Sequence, residues 1–137
     1  MKAIIVDTNI LFSALLGKNK KFRDILLSQK NINLYSCKFI LVELFKYKEK
    51  IQKYSSFDEG EILELLYNLL KNIHLFDENT LTKESLKIAF DLCYDIDLKD
   101  IPFVAVTIEL DGLFWTGDKK LKNGLKIKGF NSFYEIE

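Results

Sequence analysis

The sequence predicts an α/β fold, with helices wrapped around a mainly parallel sheet of four or five strands. Three observations point there. Short apolar, β-branched or aromatic runs recur along the chain. Longer segments between them repeat apolar residues every three or four positions. Acidic residues stand directly after the short runs or at helix starts, where sites form in such sheets, outside the carboxyl ends of the strands.

The elements follow in order. Lys2 to Val6 (KAIIV) reads as a buried strand, with Asp7 at its carboxyl end. Asn9 to Leu16 reads as a short helix stopped near Gly17, and Lys21 to Gln29 as a second with Phe22, Ile25 and Leu26 on one face. Asn33 to Cys37 is the second strand. Phe39 to Lys53 is one long helix, because Phe39, Ile40, Glu43, Leu44 and Tyr47 share a face. Tyr54 to Phe57 turns. Asp58 caps the next helix with Glu61 as its capping-box partner, and Ile62, Leu65, Leu66, Leu69 and Leu70 carry a strong helical period. Ile73 to Phe76 is a third strand. Leu81 to Cys93 is a helix with Ile88, Ala89 and Leu92 inward. Asp97 to Leu110 is another, with Pro102 in its first turns, where a missing amide is tolerated. Leu113 to Trp115 is the fourth strand, Thr116-Gly117-Asp118 turns off its end, and a last strand is expected between Asn131 and Ile136.

Composition narrows the function. At 137 residues, 48% hydrophobic and 29% charged, the chain fits a single domain over residues 1–137 and is not intrinsically disordered. No apolar run reaches the roughly 18 residues of a membrane span. The opening MKAIIVDTNILFSALL resembles a signal peptide only faintly, because Asp7, Thr8 and Asn9 interrupt it, so a cytoplasmic protein is expected. Net charge is zero, with 20 basic and 20 acidic residues, which gives no global field for nucleic acid. The tail is locally basic (Lys119, Lys120, Lys122, Lys126, Lys128), either a solvated surface or a phosphate-facing patch. Arg23 is the sole arginine. Cys37 and Cys93 form no metal motif and are expected as buried free thiols. His74, the only histidine, sits in a strand with no nucleophile nearby and is read as structural.

Carboxylates remain. Asp7, Asp97, Asp100 and Asp118 fall at strand ends or helix starts, and Glu43 lies between Ile40 and Leu44 on the apolar face of its helix. An inward glutamate must be neutralised, paired or metal-bound. Magnesium or manganese prefers such oxygen donors and suits phosphodiester chemistry. Each acid also has a plainer role: Asp7 as an Asx-turn cap, Asp97 and Asp100 as a cap and a first-turn acid, Asp118 as a surface turn, Glu43 as partner of a buried lysine.

Ile5-Val6-Asp7-Thr8-Asn9, Glu43, Asp97-Leu98-Lys99-Asp100 and Trp115-Thr116-Gly117-Asp118, in this order and spacing, resemble a PIN domain over nearly the whole chain. Similar chains include the toxins of VapBC toxin–antitoxin pairs and other small stand-alone PIN proteins. The resemblance implies a three-layer α/β/α fold and a metal-dependent ribonuclease site. Asp7, Glu43, Asp100 and Asp118 match the four acids that would be catalytic and hold Mg²⁺ or Mn²⁺. Asn9 and Thr116 match supporting polar residues. Asp97 is either an extra ligand or a helix cap, with the cap favoured. RNA would be cut by in-line attack of water, leaving a 5′-phosphate and a 3′-hydroxyl. An antitoxin partner and a homodimer are also implied, and exposed Phe12, Tyr47, Tyr54, Phe57 or Tyr67 would serve them unless these residues are core. A departure is the near absence of arginine beside the site. The alternative is a non-catalytic PIN-fold module binding nucleic acid or protein, which a missing acid would favour; none is missing. A haloacid dehalogenase-like phosphatase needs a second Asp where Asn9 stands, and a receiver domain needs an acidic pair that is not there.

Overall fold

The computed structural model describes residues 2–28 and 32–136. Four strands, β1 (Ala3–Val6), β2 (Asn33–Cys37), β3 (Ile73–Phe76) and β4 (Leu113–Trp115), form one parallel sheet in the order β3-β2-β1-β4. Ile4 pairs with Leu34 on one side and Leu113 on the other, and Leu34 pairs in turn with Ile73. All four residues of β1 are buried, as expected of a central strand covered on both faces.

Among the described residues, eight α-helices surround the sheet: α1 (Thr8–Leu16), α2 (Lys20–Leu27), α3 (Phe39–Lys46), α4 (Lys48–Tyr54), α5 (Glu59–Lys71), α6 (Lys83–Cys93), α7 (Ile101–Glu109) and α8 (Lys119–Ile127). Short 3-10 turns at Glu78–Thr80 and Leu98–Asp100 precede α6 and α7. The apolar α7 packs on β1, β2 and β4 and carries α6 on its other side, while α1 packs on α2, α3, α4 and α5. Phe103, Val104, Ala105 and Val106 of α7 are fully buried with Ile5, Val6 and Phe114 of the sheet. Gly112 is required before β4, because a Cβ there would meet the Ala3 carbonyl oxygen at 2.6 Å. Among the described residues, no helix is long and apolar enough to cross a membrane.

Most boundaries fall as expected, and the differences have physical causes. The second helix ends at Leu27 with Ser28 as its cap, short of the expected end at Gln29, which lies outside the described residues. The long helix predicted over Phe39 to Lys53 is two, broken at Tyr47. On α6 the inward positions are Ser85, Ala89 and Cys93, strictly four apart, so Ile88 is left 41% exposed rather than buried. The expected strand at Asn131–Ile136 reduces to a single parallel bridge between Phe114 and Phe133. Two backbone hydrogen bonds make that bridge, from the Phe114 amide to the Ser132 carbonyl at 2.8 Å and from the Tyr134 amide to the Phe114 carbonyl at 2.9 Å, and ring contacts of Phe133 with Phe114 and Phe130 pack beside it. Helix α8 has no counterpart in the sequence reading. Its inward Leu121 and Leu125 are four apart behind the Asp118 cap, but Asn123 and Gly124 dilute the pattern. Gly124 fits because Ile96 packs where its side chain would be.

Two of the tail lysines are tied into ion pairs within the chain. Lys122 pairs with Glu135. Lys128 pairs with Asp95 and donates to the Leu92 carbonyl at 3.0 Å, closing the end of α6. Lys119 and Lys120 are exposed. Cys37 and Cys93 are free and buried, and burial pushes both thiols up to about 12, far from the reactive thiolate. His74 is exposed on β3, its ring 5.0 Å from that of Tyr35.

Candidate active site

The strand order reverses at β1: the chain moves outward through β2 and β3, then returns with β4 on the other side of β1. At such a switch point the connections after adjacent strands diverge and leave a crevice at their carboxyl ends. Asp7 follows β1 there, and Thr116-Gly117-Asp118 follows β4. The Asp7 amide donates to the Trp115 carbonyl at 2.9 Å, tying the two strand ends together.

Asp7 is buried, only 4% exposed, and both of its oxygens accept hydrogen bonds. Oδ1 takes the Thr8 amide at 2.8 Å, which makes Asp7 the N-cap of α1. Oδ2 takes the Thr116 hydroxyl at 2.7 Å and the Asn9 amide group at 3.2 Å. Thr116 in turn accepts from the Asp118 amide at 3.1 Å, and the Gly117 amide donates to Asn9 Oδ1 at 3.0 Å. Asn9 and Thr116 therefore lock the two post-strand turns to one carboxylate. Glu43 reaches the same place from α3, where its Oε1 accepts the Thr8 hydroxyl at 2.6 Å. Asp118 is exposed and caps α8, accepting the Leu121 amide at 3.1 Å. Asp97 caps the 3-10 turn through the Lys99 amide at 3.0 Å. Asp100 occupies the cap position of α7 without making a capping bond.

Asp7, Glu43, Asp97, Asp100 and Asp118 line one open pocket of about 310 Å³. All seven site residues expected from the sequence are brought together there or, for Thr116, directly behind it. The plainer roles are present too: Asp7, Asp97 and Asp118 all cap helical turns. Glu43 is held by a threonine and not by the lysine considered for it.

The electrostatics follow from the crowding. Burial pushes Asp7 up to about 6, against the hydrogen bonds from Thr116 and Thr8, with the charges of Glu43 and Asp118 adding to the rise. Burial and then the surrounding charges of Asp7, Asp97, Asp118 and Glu43 push Asp100 up to about 8. Clustered carboxylates of this kind either share protons or attract a cation. The donor set is all oxygen, which fits a hard divalent cation and not a nitrogen- or sulfur-seeking one. Among the described residues, no three His, Cys, Asp or Glu side chains stand ready to hold a metal ion in their present rotamers. The fit is therefore one of chemistry and charge.

Sequence reasoning missed three pocket residues other than acids. Thr8 is the hydroxyl that orients Glu43. Lys50 and Lys99 line the pocket, as do Phe12 and Tyr47, which the sequence assigns to a partner surface or to the core. The spacing of Glu43, Tyr47 and Lys50 carried the signal. Of the other aromatics in that group, Phe57 is half-buried, while Tyr54 and Tyr67 are exposed.

Comparison with known proteins agrees with the fold. No curated protein sequence matches the chain. Among solved structures, it is similar to the crystal structure of VapBC2 from Rickettsia felis bound to a DNA fragment from their promoter. The TM-score is 0.64 at 18% identity, over 88% of this chain and 92% of that one, a likeness of fold. The family model described as PIN domain matches residues 5–134, taking in all four acid-bearing blocks, and by that match the chain belongs to the PIN domain family.

Proposed function

We propose that the protein is a metal-dependent endoribonuclease that hydrolyses RNA phosphodiester bonds, with Asp7, Glu43, Asp100 and Asp118 as the ligands of Mg²⁺ or Mn²⁺. The observation that carries this reading is the convergence of these four carboxylates on one pocket at the switch point of the sheet. When bound, a divalent ion lowers the pKa of water and offsets the charge that develops on the phosphate and leaving oxygen. The chain's own residues supply position. Asp7 is held rigid by Thr8, Thr116 and Asn9. Thr8 aims Glu43. Asp100, free of any capping bond, has the carboxyl most in need of a cation. No side-chain nucleophile is called for: the thiols are buried and His74 lies exposed on β3.

The same reading extends to partners. The likeness to a VapBC complex supports a protein antitoxin. Two exposed apolar strips support an antitoxin on one and a second copy of the chain on the other: Leu41, Val42, Phe45 and Leu63 on α3 and α5, and Phe90, Tyr94 and Ile127 on α6 and α8. A cytoplasmic location completes the reading.

The test is cleavage of a mixed-sequence fluorescent RNA with Mg²⁺ or Mn²⁺, with EDTA and Asp7→Asn as controls. Cutting that needs the metal and is lost in the variant is expected. No cutting by folded protein with either metal refutes the nuclease and leaves a binding module.

A further inference from the structure

Helix α3 brings Glu43 to the pocket, yet it has no cap of its own. Lys38 stands at its N-cap position in helical conformation and offers its amides no side-chain bond. The first turn of a helix leaves amides without partners inside the helix. Here one of them is met from far along the chain: the Phe39 amide donates to Glu78 Oε1 at 2.9 Å, across 39 residues. Glu78 opens the 3-10 turn that follows β3. That turn is itself pinned. The Asn79 amide donates to Asp77 Oδ1 at 3.0 Å and the Thr80 hydroxyl to the Asp77 carbonyl at 2.7 Å. Lys38 pairs with Asp77 Oδ2 at 3.8 Å, and its amide donates to the Phe76 carbonyl at 3.0 Å. The corner after β3 therefore clamps the corner after β2.

The clamp lies one helical turn from Glu43. Phe39 and Glu43 are four residues apart and so lie on one face of α3. The Phe39 ring meets Phe103 edge to face, with centroids 6.5 Å apart. Phe103 is fully buried on α7, three residues after Asp100. Fixing Phe39 thus fixes the turn that carries Glu43 against the helix that follows Asp100. At its other end α3 breaks at Tyr47 after only eight residues. A helix this short does not hold itself in water and takes its place from tertiary contacts. Glu78 adds a charge-assisted bond there, and its negative charge suits the positive end of the helix dipole.

We propose that Glu78 is a positioning residue for the carboxylate pocket: by capping α3 from the β3 corner, it keeps Glu43 seated on the Thr8 hydroxyl, at 2.6 Å in this structure, and so in place for a cation. Glu78 does not itself line the pocket and acts only through α3. The consequence for a cation rests on the metal-dependent reading of the site, whereas the seating of Glu43 does not.

Glu109 supplies the control. It accepts the Thr82 amide at 2.7 Å at the start of α6, a helix that carries none of the site's acids. Glu78→Ala and Glu109→Ala each remove one long-range bond from a helix start, and each is expected to lower the melting temperature by a few degrees. The first readout is the NMR methyl shift of Thr8 in EDTA. Glu78→Ala is expected to move it toward its position in Glu43→Ala. Glu109→Ala is expected to leave it in place, as is Glu78→Gln, whose side-chain oxygen still accepts. The second readout is Mn²⁺ affinity by titration. Glu78→Ala is expected to weaken it about tenfold, the low end of what losing a residue behind a ligand costs, with Glu109→Ala and Glu78→Gln unchanged. In a Glu43→Ala background, Glu78→Ala is expected to cost nothing further, because an effect that passes through Glu43 is already lost. Should Glu78→Ala not fold, Glu78→Asp, which keeps the charge but is one methylene shorter, carries the same comparison. An unmoved Thr8 methyl in the folded variant, an equal displacement in Glu109→Ala, or a full further loss of Mn²⁺ affinity in the Glu43→Ala background overturns the positioning role. Absent Mn²⁺ binding by folded wild type, with a Thr8 methyl that still depends on Glu78, overturns the metal reading and leaves the positioning role standing.

Discussion

Replacing Asp7 with Asn should stabilise the metal-free protein, increasingly so as pH rises. Asp7 is buried and its folded-state pKa is raised from 3.8 to about 6. Folding therefore takes up a proton near pH 5. The neutral carboxyl's contribution to stability is intact below about pH 4 and is lost as pH rises through about 6. Two units at about 1.4 kcal/mol each make the ionised form about 3 kcal/mol less stable relative to the acid limit. Asn imitates the neutral carboxyl and does not titrate. Its advantage over wild type should thus be about 3 kcal/mol larger at pH 8 than at pH 4, a melting shift on the order of 10 °C for a domain of this size. Asp100 adds to the effect, because removing the Asp7 charge relieves one cause of its own raised pKa. The assay is thermal melting in EDTA at both pH values, then with Mn²⁺ at pH 8. Mn²⁺ should raise the wild-type melting temperature and leave Asp7→Asn nearly unmoved. A difference between the two proteins that is the same at pH 4 and pH 8 refutes the account of a buried, titrating Asp7.

Other substitutions separate the roles of the remaining residues. Asp118→Asn and Glu43→Gln should each abolish metal-dependent RNA cleavage with melting temperature unchanged, whereas Asp97→Asn should cleave normally, because Asn caps a helical turn as well as Asp does; gel assays of the three side by side test both halves. Thr116→Val removes the donor to Asp7 and the acceptor for the Asp118 amide. It should lower activity about 10–100-fold, and kcat at saturating metal and RNA is the measurement; an unchanged kcat removes Thr116 from the supporting set. Phe103, fully buried against Phe39, should cost about 3–5 kcal/mol when cut to Ala, read from denaturant unfolding with an unchanged m-value.

The acids and the strands that carry them are legible in the chain because each follows a local rule. Apolar β-branched runs mark buried strands, and an acid directly after one stands at a strand's carboxyl end. The Asp58–Glu61 capping box, read from a spacing of three, is present with both of its hydrogen bonds. Where local patterns were weak, the reading failed. Leu121 and Leu125 stand among lysines, and the segment from Asn131 to Ile136 mimics a strand though it makes only a single bridge to Phe114, with ring contacts beside it.

What the sequence determined by itself was the α/β class, the strand and helix succession, and the identity of the oxygen donors, since these depend on periodicity and on chemistry carried by single residues. Only the tertiary structure decided which donors meet. Thr8 on Glu43 joins residues 35 apart, and Thr116 on Asp7 joins residues 109 apart. It also decided that Tyr47 and Lys50 line the same open pocket as the acids. Such long-range pairings depend on the sheet order and on the break between α3 and α4, and no local spacing encodes either. The raised pKa of Asp100 has the same origin, because it comes from burial and from charges delivered by three other segments of the chain.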